Sequence, residues 1–182
     1  MRVIAGRFKG RRLKTPTWDG LRPTSDKLRE TLFNILAPRI ESARVCDGYA
    51  GTGAVGIEAL SRGAAHVTFV EQDRRAVALI AANIISSGAE ANAENYTVET
   101  GDVEVTLRTR PDAFDVIWLD PPYASDSASA LEAAATALAS GGLLVLERAT
   151  RREPNVPASL ARIRDVKSGD STLTFFTRTP DL

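Results

Sequence analysis

From Arg44 onward, short apolar runs alternate with stretches of helical periodicity, and this alternation confines the chain to an α/β fold with a mainly parallel sheet. The runs at 44–48, 66–71, 95–99, 114–119 and 142–147 read as strands. Helical stretches lie between them at about 52–62, 73–87 and 127–139. The tail departs from the pattern. Residues 161–167 and 171–177 are two strand candidates separated by Ser168-Gly169-Asp170, which reads as a hairpin. Upstream, Thr24 or Ser25 is placed to cap a helix reaching about Ala37, with Leu28, Leu32, Ile35 and Leu36 at helical spacing and Pro38 expected to end it. Residues 2–15 read as two short strand pieces around a glycine-containing loop, a small N-terminal β-hairpin. The expected division is a hairpin arm over 1–20 and one domain over 21–182, in all seven core strands with helices on both faces.

Composition excludes several classes. One cysteine (Cys46) and one histidine (His66) leave no disulfide framework and too few soft ligands for zinc, so no metal is expected. The apolar run near the start is only Val3-Ile4-Ala5, and no stretch approaches a membrane span. A cytoplasmic monomer is the expectation. The zero net charge conceals an asymmetry: residues 1–39 hold ten Lys/Arg against three Asp/Glu, and residues 40–182 hold thirteen against twenty. A basic N-terminal fifth on an acidic body predicts a polyanion partner contacted in one region. Arg7, Lys9, Arg11, Arg12 and Lys14 are the candidate phosphate contacts.

The stretch Asp47-Gly48-Tyr49-Ala50-Gly51-Thr52-Gly53-Ala54-Val55-Gly56 follows the first core strand and opens a helix. Glycines there let the backbone turn sharply and let a ligand approach the main chain. The spacing also satisfies the dinucleotide fingerprint, with Glu71 twenty residues after Gly51, so the loop alone admits either NAD or S-adenosylmethionine. A carboxylate at the second strand's end suits a ribose diol in both. Asp47 separates the two ligands: inside the loop it would repel a pyrophosphate, whereas it can take up the ammonium of a methionine moiety. Asp102, after the third core strand, is placed to accept from an adenine amino group. The donor-site candidates are therefore Asp47, Gly48, Gly51, Gly53, Glu71 and Asp102, with Asp73 read as a helix cap.

The strand at 114–119 ends in Asp120-Pro121-Pro122-Tyr123. Ligands of open α/β sheets bind at the carboxyl ends of strands, so this tetrapeptide is expected to face the donor. An exocyclic amine on a base is a poor nucleophile because its lone pair is delocalised into the ring. The Asp120 carboxylate and the Pro121 carbonyl can accept its two N–H groups and turn the lone pair towards a methyl carbon. The two prolines, including Pro122, stiffen the turn, and Tyr123 offers a flat face for an extruded base. The tetrapeptide predicts N-methylation. It does not choose between adenine and guanine, or between DNA and RNA. A parallel sheet closed by an antiparallel hairpin matches this chemistry, being the Rossmann-like class I methyltransferase arrangement.

Three blocks carry a resemblance: Leu21-Arg22-Pro23-Thr24-Ser25-Asp26-Lys27-Leu28-Arg29-Glu30-Thr31-Leu32-Phe33-Asn34, the loop region 47–64, and 120–123. On these the chain resembles the RsmD family of 16S rRNA guanine-N2 methyltransferases, over most of residues 1–123. Tyr49 and Thr52 stand where related members often have Phe and Ser. The resemblance implies S-adenosylmethionine as cofactor, methyl transfer to a guanine N2 of small-subunit rRNA, and an assembling 30S subunit as partner. Arg22 and Thr24 are possible substrate contacts in a block that could cover the donor pocket. The competing readings are a DNA adenine-N6 methyltransferase, a nicotinamide-dependent oxidoreductase and a non-catalytic RNA-binding assembly factor. The first lacks room for a target-recognition region, and the second leaves Asp47 and 120–123 unexplained. An intact amino-group site argues against the third. Cys46, His66 and Trp118 read as structural; Phe8 or Trp18 could stack on a base, but both read first as a packing cluster under the arm.

Overall fold

The structure, a computed structural model, describes residues 1–21, 24–122 and 127–179. Seven strands form one sheet: β1 (Arg44–Gly48), β2 (His66–Glu71), β3 (Tyr96–Thr100), β4 (Phe114–Leu119), β5 (Leu138–Ala149), β6 (Leu160–Ser168) and β7 (Ser171–Arg178). Their order is β3-β2-β1-β4-β5-β7-β6. β7 alone runs against the rest, antiparallel to β5 on one side and to β6 on the other. The chain winds outward from β1 to β3, then returns to β4 on the other side of β1. Where the order reverses, between β1 and β4, a crevice opens at the carboxyl ends of the strands. The fold is the Rossmann-like one expected.

Two apolar cores flank the sheet. Val45, Val67, Phe69, Val116, Trp118, Val145 and Phe175 face one side with Leu32, Phe33 and Leu36 of α1 (Asp26–Ile40) and Val55 and Ile57 of α2 (Ala54–Ser61). Ile80 and Ile84 of α3 (Arg74–Ser87) join them. Cys46, Ile117, Leu119, Leu144 and Phe176 face the other, under Val103 and Leu107 of α4 (Val103–Arg108) and the alanines of α5 (Ala128–Ala137). Burial drives the Cys46 thiol pKa up, so it stays protonated. Both ring nitrogens of His66 find partners, the Glu94 carbonyl and the Thr97 hydroxyl.

Four boundaries differ from expectation. Helix α1 continues past Pro38 to Ile40: in the last turn a proline forfeits one backbone bond, and Ile40 is fully buried. Strand β5 starts at Leu138, directly after α5, with a register shift opposite Phe114–Val116. Helix α4 and the 3₁₀ segment Ala89–Asn95 are too short to show periodicity. The N-terminal hairpin is reduced to a single antiparallel bridge, Arg2 with Arg12.

That reduced hairpin is held by the body. Glu58, fully buried in α2, accepts from the Ile4 and Ala5 amides at 2.8 and 2.9 Å. The Ser61 hydroxyl accepts from the Phe8 amide, and the Arg7 amide donates to the Ser61 carbonyl at 2.7 Å. Val3, Phe8 and Leu13 are buried in the same core as α1 and α2. The segment 1–20 is thus a packed layer whose cations face solvent, rather than a detached arm.

Candidate active site

Four turns of chain meet at the crevice. The loop from Tyr49 to Gly53 crosses the top of β1 with left-handed backbone at Tyr49 (φ 59°), Gly51 (φ 56°) and Gly53 (φ 72°), the last forming the N-cap of α2. Two buried carboxylates hold it there. Glu71 accepts the Gly51 amide at 2.9 Å through one oxygen and the Asp73 amide at 2.9 Å through the other. Asp47 accepts the Gly56 amide at 2.7 Å in the first turn of α2. Gly56 is required by space: a Cβ there would stand 2.2 Å from the Phe69 ring. Gly48 is also tightly packed, with a Cβ position 2.7 Å from Leu119 of β4.

The crevice has a volume of about 370 Å³. Asp47, Gly51, Glu71 and Asp73 line one side, and Asp120, Pro121 and Pro122 line the other, with the buried Trp118 beneath. The Asp120 amide reaches the Gly48 carbonyl at 3.4 Å, tying the two sides across the switch point. Trp18, Leu21 and Thr24 complete the wall from the connection before α1. Of the sequence-predicted donor and acceptor residues, Asp47, Gly51, Glu71, Asp120, Pro121 and Pro122 therefore share one cavity. Gly48 and Gly53 serve its backbone instead of lining it.

Asp102 stands apart. It is exposed, its carboxylate caps α4 by accepting from the Val105 amide at 3.0 Å, and it does not line the cavity. Asp73 caps α3 as expected, accepting from the Arg75 amide at 2.8 Å, yet it also reaches the cavity wall. An acidic residue between a strand and a helix carries the same sequence signature in both roles. Tyr123 and Arg22 lie outside the described residues.

The electrostatics favour a cationic ligand group. Burial pushes the Asp47 carboxyl up to about 8, partly offset by its bond from the Gly56 amide and reinforced by the neighbouring Glu71 charge. A cation beside Asp47 would restore its ionised form. With Glu71 still holding unused lone pairs for hydroxyls, the residues present fit an aminoacyl-nucleoside such as S-adenosylmethionine. They fit a pyrophosphate poorly.

The cations Arg7, Lys9, Arg11, Arg12 and Lys14 are all exposed. They are spread along α2. Arg7 sits at Ser61, the end of the helix away from the glycine loop, while the Lys14 amide is bonded at 2.7 Å to Asn83. The same Asn83 side chain donates to the Thr52 carbonyl of the loop at 2.9 Å. Lys9 and Lys27 line a groove between this segment and α1, together with the acidic Asp26 and Glu30. Sequence reasoning missed Asn83, whose only signal is a polar residue on the apolar stripe of α3. It also missed Trp18 as a cavity residue, where the Arg75 guanidinium lies 5.2 Å from the ring centre.

Known proteins resemble this chain in sequence and in fold. The profile of the family described as conserved hypothetical protein 95 matches residues 1–177. Ribosomal RNA small subunit methyltransferase D of Escherichia coli K12 is 41% identical over 123 residues, which is 68% of this chain and 60% of that protein. The chain thus spans less than two thirds of that relative's length. YlbH of Bacillus subtilis, provisionally named an rRNA methyltransferase, is 38% identical over 131 residues, covering 72% of this chain and 71% of its own. Among solved structures, yhhF of Escherichia coli, provisionally named a methyltransferase, superposes with a TM-score of 0.84 at 31% identity, covering 98% of this chain and 97% of its own. The chain belongs to the conserved hypothetical protein 95 family, the RsmD family that its sequence motifs resemble.

Proposed function

We propose that the protein transfers a methyl group from S-adenosylmethionine to the exocyclic N2 of a guanine in small-subunit 16S rRNA, acting as a cytoplasmic monomer on an assembling 30S subunit. The observation that carries this reading is the shared cavity at the switch point, with Asp47 and Glu71 on one wall and Asp120–Pro122 on the other. The names of the relatives in Escherichia coli and Bacillus subtilis support rRNA as the polymer. Guanine N2 rests on the resemblance to the RsmD family.

When bound, the cofactor supplies a methyl group activated by a sulfonium. The chain's own residues do the positioning. Asp47 holds the ammonium, Glu71 the ribose hydroxyls, and the loop amides define the cradle. Asp120 and the Pro121 carbonyl accept the two N–H groups of the guanine amine, so that its lone pair faces the donor. The surplus proton passes to Asp120 or to water. Trp118 and the apolar strand beneath it keep the floor of the cavity dry.

Ligand-dependent melting tests the cofactor. At a hundred times its dissociation constant, S-adenosylmethionine should stabilise the fold by about 2.7 kcal/mol, raising Tm by roughly 5–10 °C, and NAD should leave it unchanged. Stabilisation by NAD instead would overturn the methyltransferase reading.

A further inference from the structure

We propose a second RNA-binding surface, distinct from the N-terminal cations, on the β5–β7–β6 side of the catalytic edge. It takes the ribose-phosphate backbone flanking the target base, and it rests on the function proposed above. The tail that forms it is basic, though the acidic total for residues 40–182 hides this. Residues 148–177 hold six Lys/Arg against three Asp/Glu. Two of those three acids, Glu153 and Asp165, are already engaged by Arg148 and Arg162.

Register places the remaining cations. Leu119 pairs with Leu146, so β5 beyond Leu146 rises level with Asp120–Pro122. Ala149 pairs with Ser171, and Ser171 with Ser168, which brings the end of β5 and the β6–β7 turn to the same edge. Arg151 and Arg152 follow directly after β5, and Lys167 sits one residue before the end of β6. All three are exposed. Neither Arg151 nor Lys167 has a salt-bridge partner among the described residues. Three strand spacings separate β4 from β6, about 14 Å, or roughly four nucleotides of helical rise.

The opposite half of this edge has the other sign. Glu71 ends β2 and Asp73 follows it, and Asp102 and Glu104 follow β3, against Arg74 and Arg75, of which Arg75 is paired with Asp73. A polyanion approaching the cavity is repelled over β2–β3 and attracted over β5–β7–β6, with Asp170 as the acid in the hairpin turn. The sheet edge is thereby divided: its acidic half borders the donor, and its basic half borders the amine to be methylated. The N-terminal cations lie along α1 and α2, on a separate approach.

The test is a salt series of RNA binding and methylation on a small-subunit rRNA fragment, comparing wild type with the double variant Arg151→Ala/Lys167→Ala. Arg178→Ala, at the far edge and paired with Asp112, is the control. The double variant should bind RNA more weakly, with a slope of log K against log salt shallower by about 1.4–1.8. Its kcat at saturating RNA and its Tm shift with S-adenosylmethionine should match wild type. A double variant whose slope equals that of a wild type that does methylate RNA overturns this surface alone. A wild type that neither binds nor methylates RNA overturns the proposed function, and this surface with it.

Discussion

At the scale of single residues, the proposed ammonium contact at Asp47 should couple cofactor binding to pH. Its carboxyl, pushed up to about 8 by burial, is largely protonated in the free protein at pH 6–7. Holding an ammonium requires the ionised form, so binding S-adenosylmethionine should release a proton there. Affinity should therefore rise as pH goes from 6 to 8, by up to about tenfold per unit. Calorimetry in buffers of different ionisation enthalpy reads the released proton directly, and Asp47→Asn should abolish it. A pH-independent affinity would show that the ammonium is held elsewhere. For Asp120, replacement by Ala should remove methyl transfer while the Tm shift with cofactor persists. Loss of both would move Asp120 to the donor side. The meeting of these residues at one cavity was legible, because both were read at the carboxyl ends of strands. For Asp102 the structure shows a helix cap outside the cavity lining: an acid between strand and helix carries one sequence signature for ligand and cap.

At the scale of elements, α2 is the most constrained piece, fully buried along its length between the sheet, α1 and the N-terminal layer. An Ala at a helical position ordinarily favours the helix by about 1 kcal/mol over Gly. Gly56→Ala should instead destabilise the fold by about 1–3 kcal/mol, because its Cβ meets the Phe69 ring. Denaturant unfolding measures the difference, and a stabilised variant would mean that Phe69 repacks freely. The core strands and the closing hairpin were readable from apolar runs and turn residues. Helix α4 was not, since six residues give too few repeats to reveal a face. The early start of β5 was hidden because Leu138 and Ala139 read equally well as the end of α5.

At the scale of the whole molecule, charge and packing are arranged on different plans. Residues 1–20 read as a basic appendage, yet their backbone is fastened to Glu58, Ser61 and Asn83. Sequence shows the sign of a side chain but not the buried acceptor beneath a backbone amide. Glu58→Ala would orphan two amides and its Arg62 partner. It should cost about 3 kcal/mol or more and open the segment to trypsin. Resistance equal to wild type would show that the apolar contacts of Val3, Phe8 and Leu13 suffice. The central claim, amine methylation of guanine in small-subunit rRNA, is tested most directly by nucleoside mass spectrometry of that rRNA from cells with and without this protein. The account predicts that one N2-methylguanosine disappears in its absence and returns with wild type but not with Asp120→Ala; an unchanged N2-methylguanosine content, or loss of a methylated adenine instead, would contradict it.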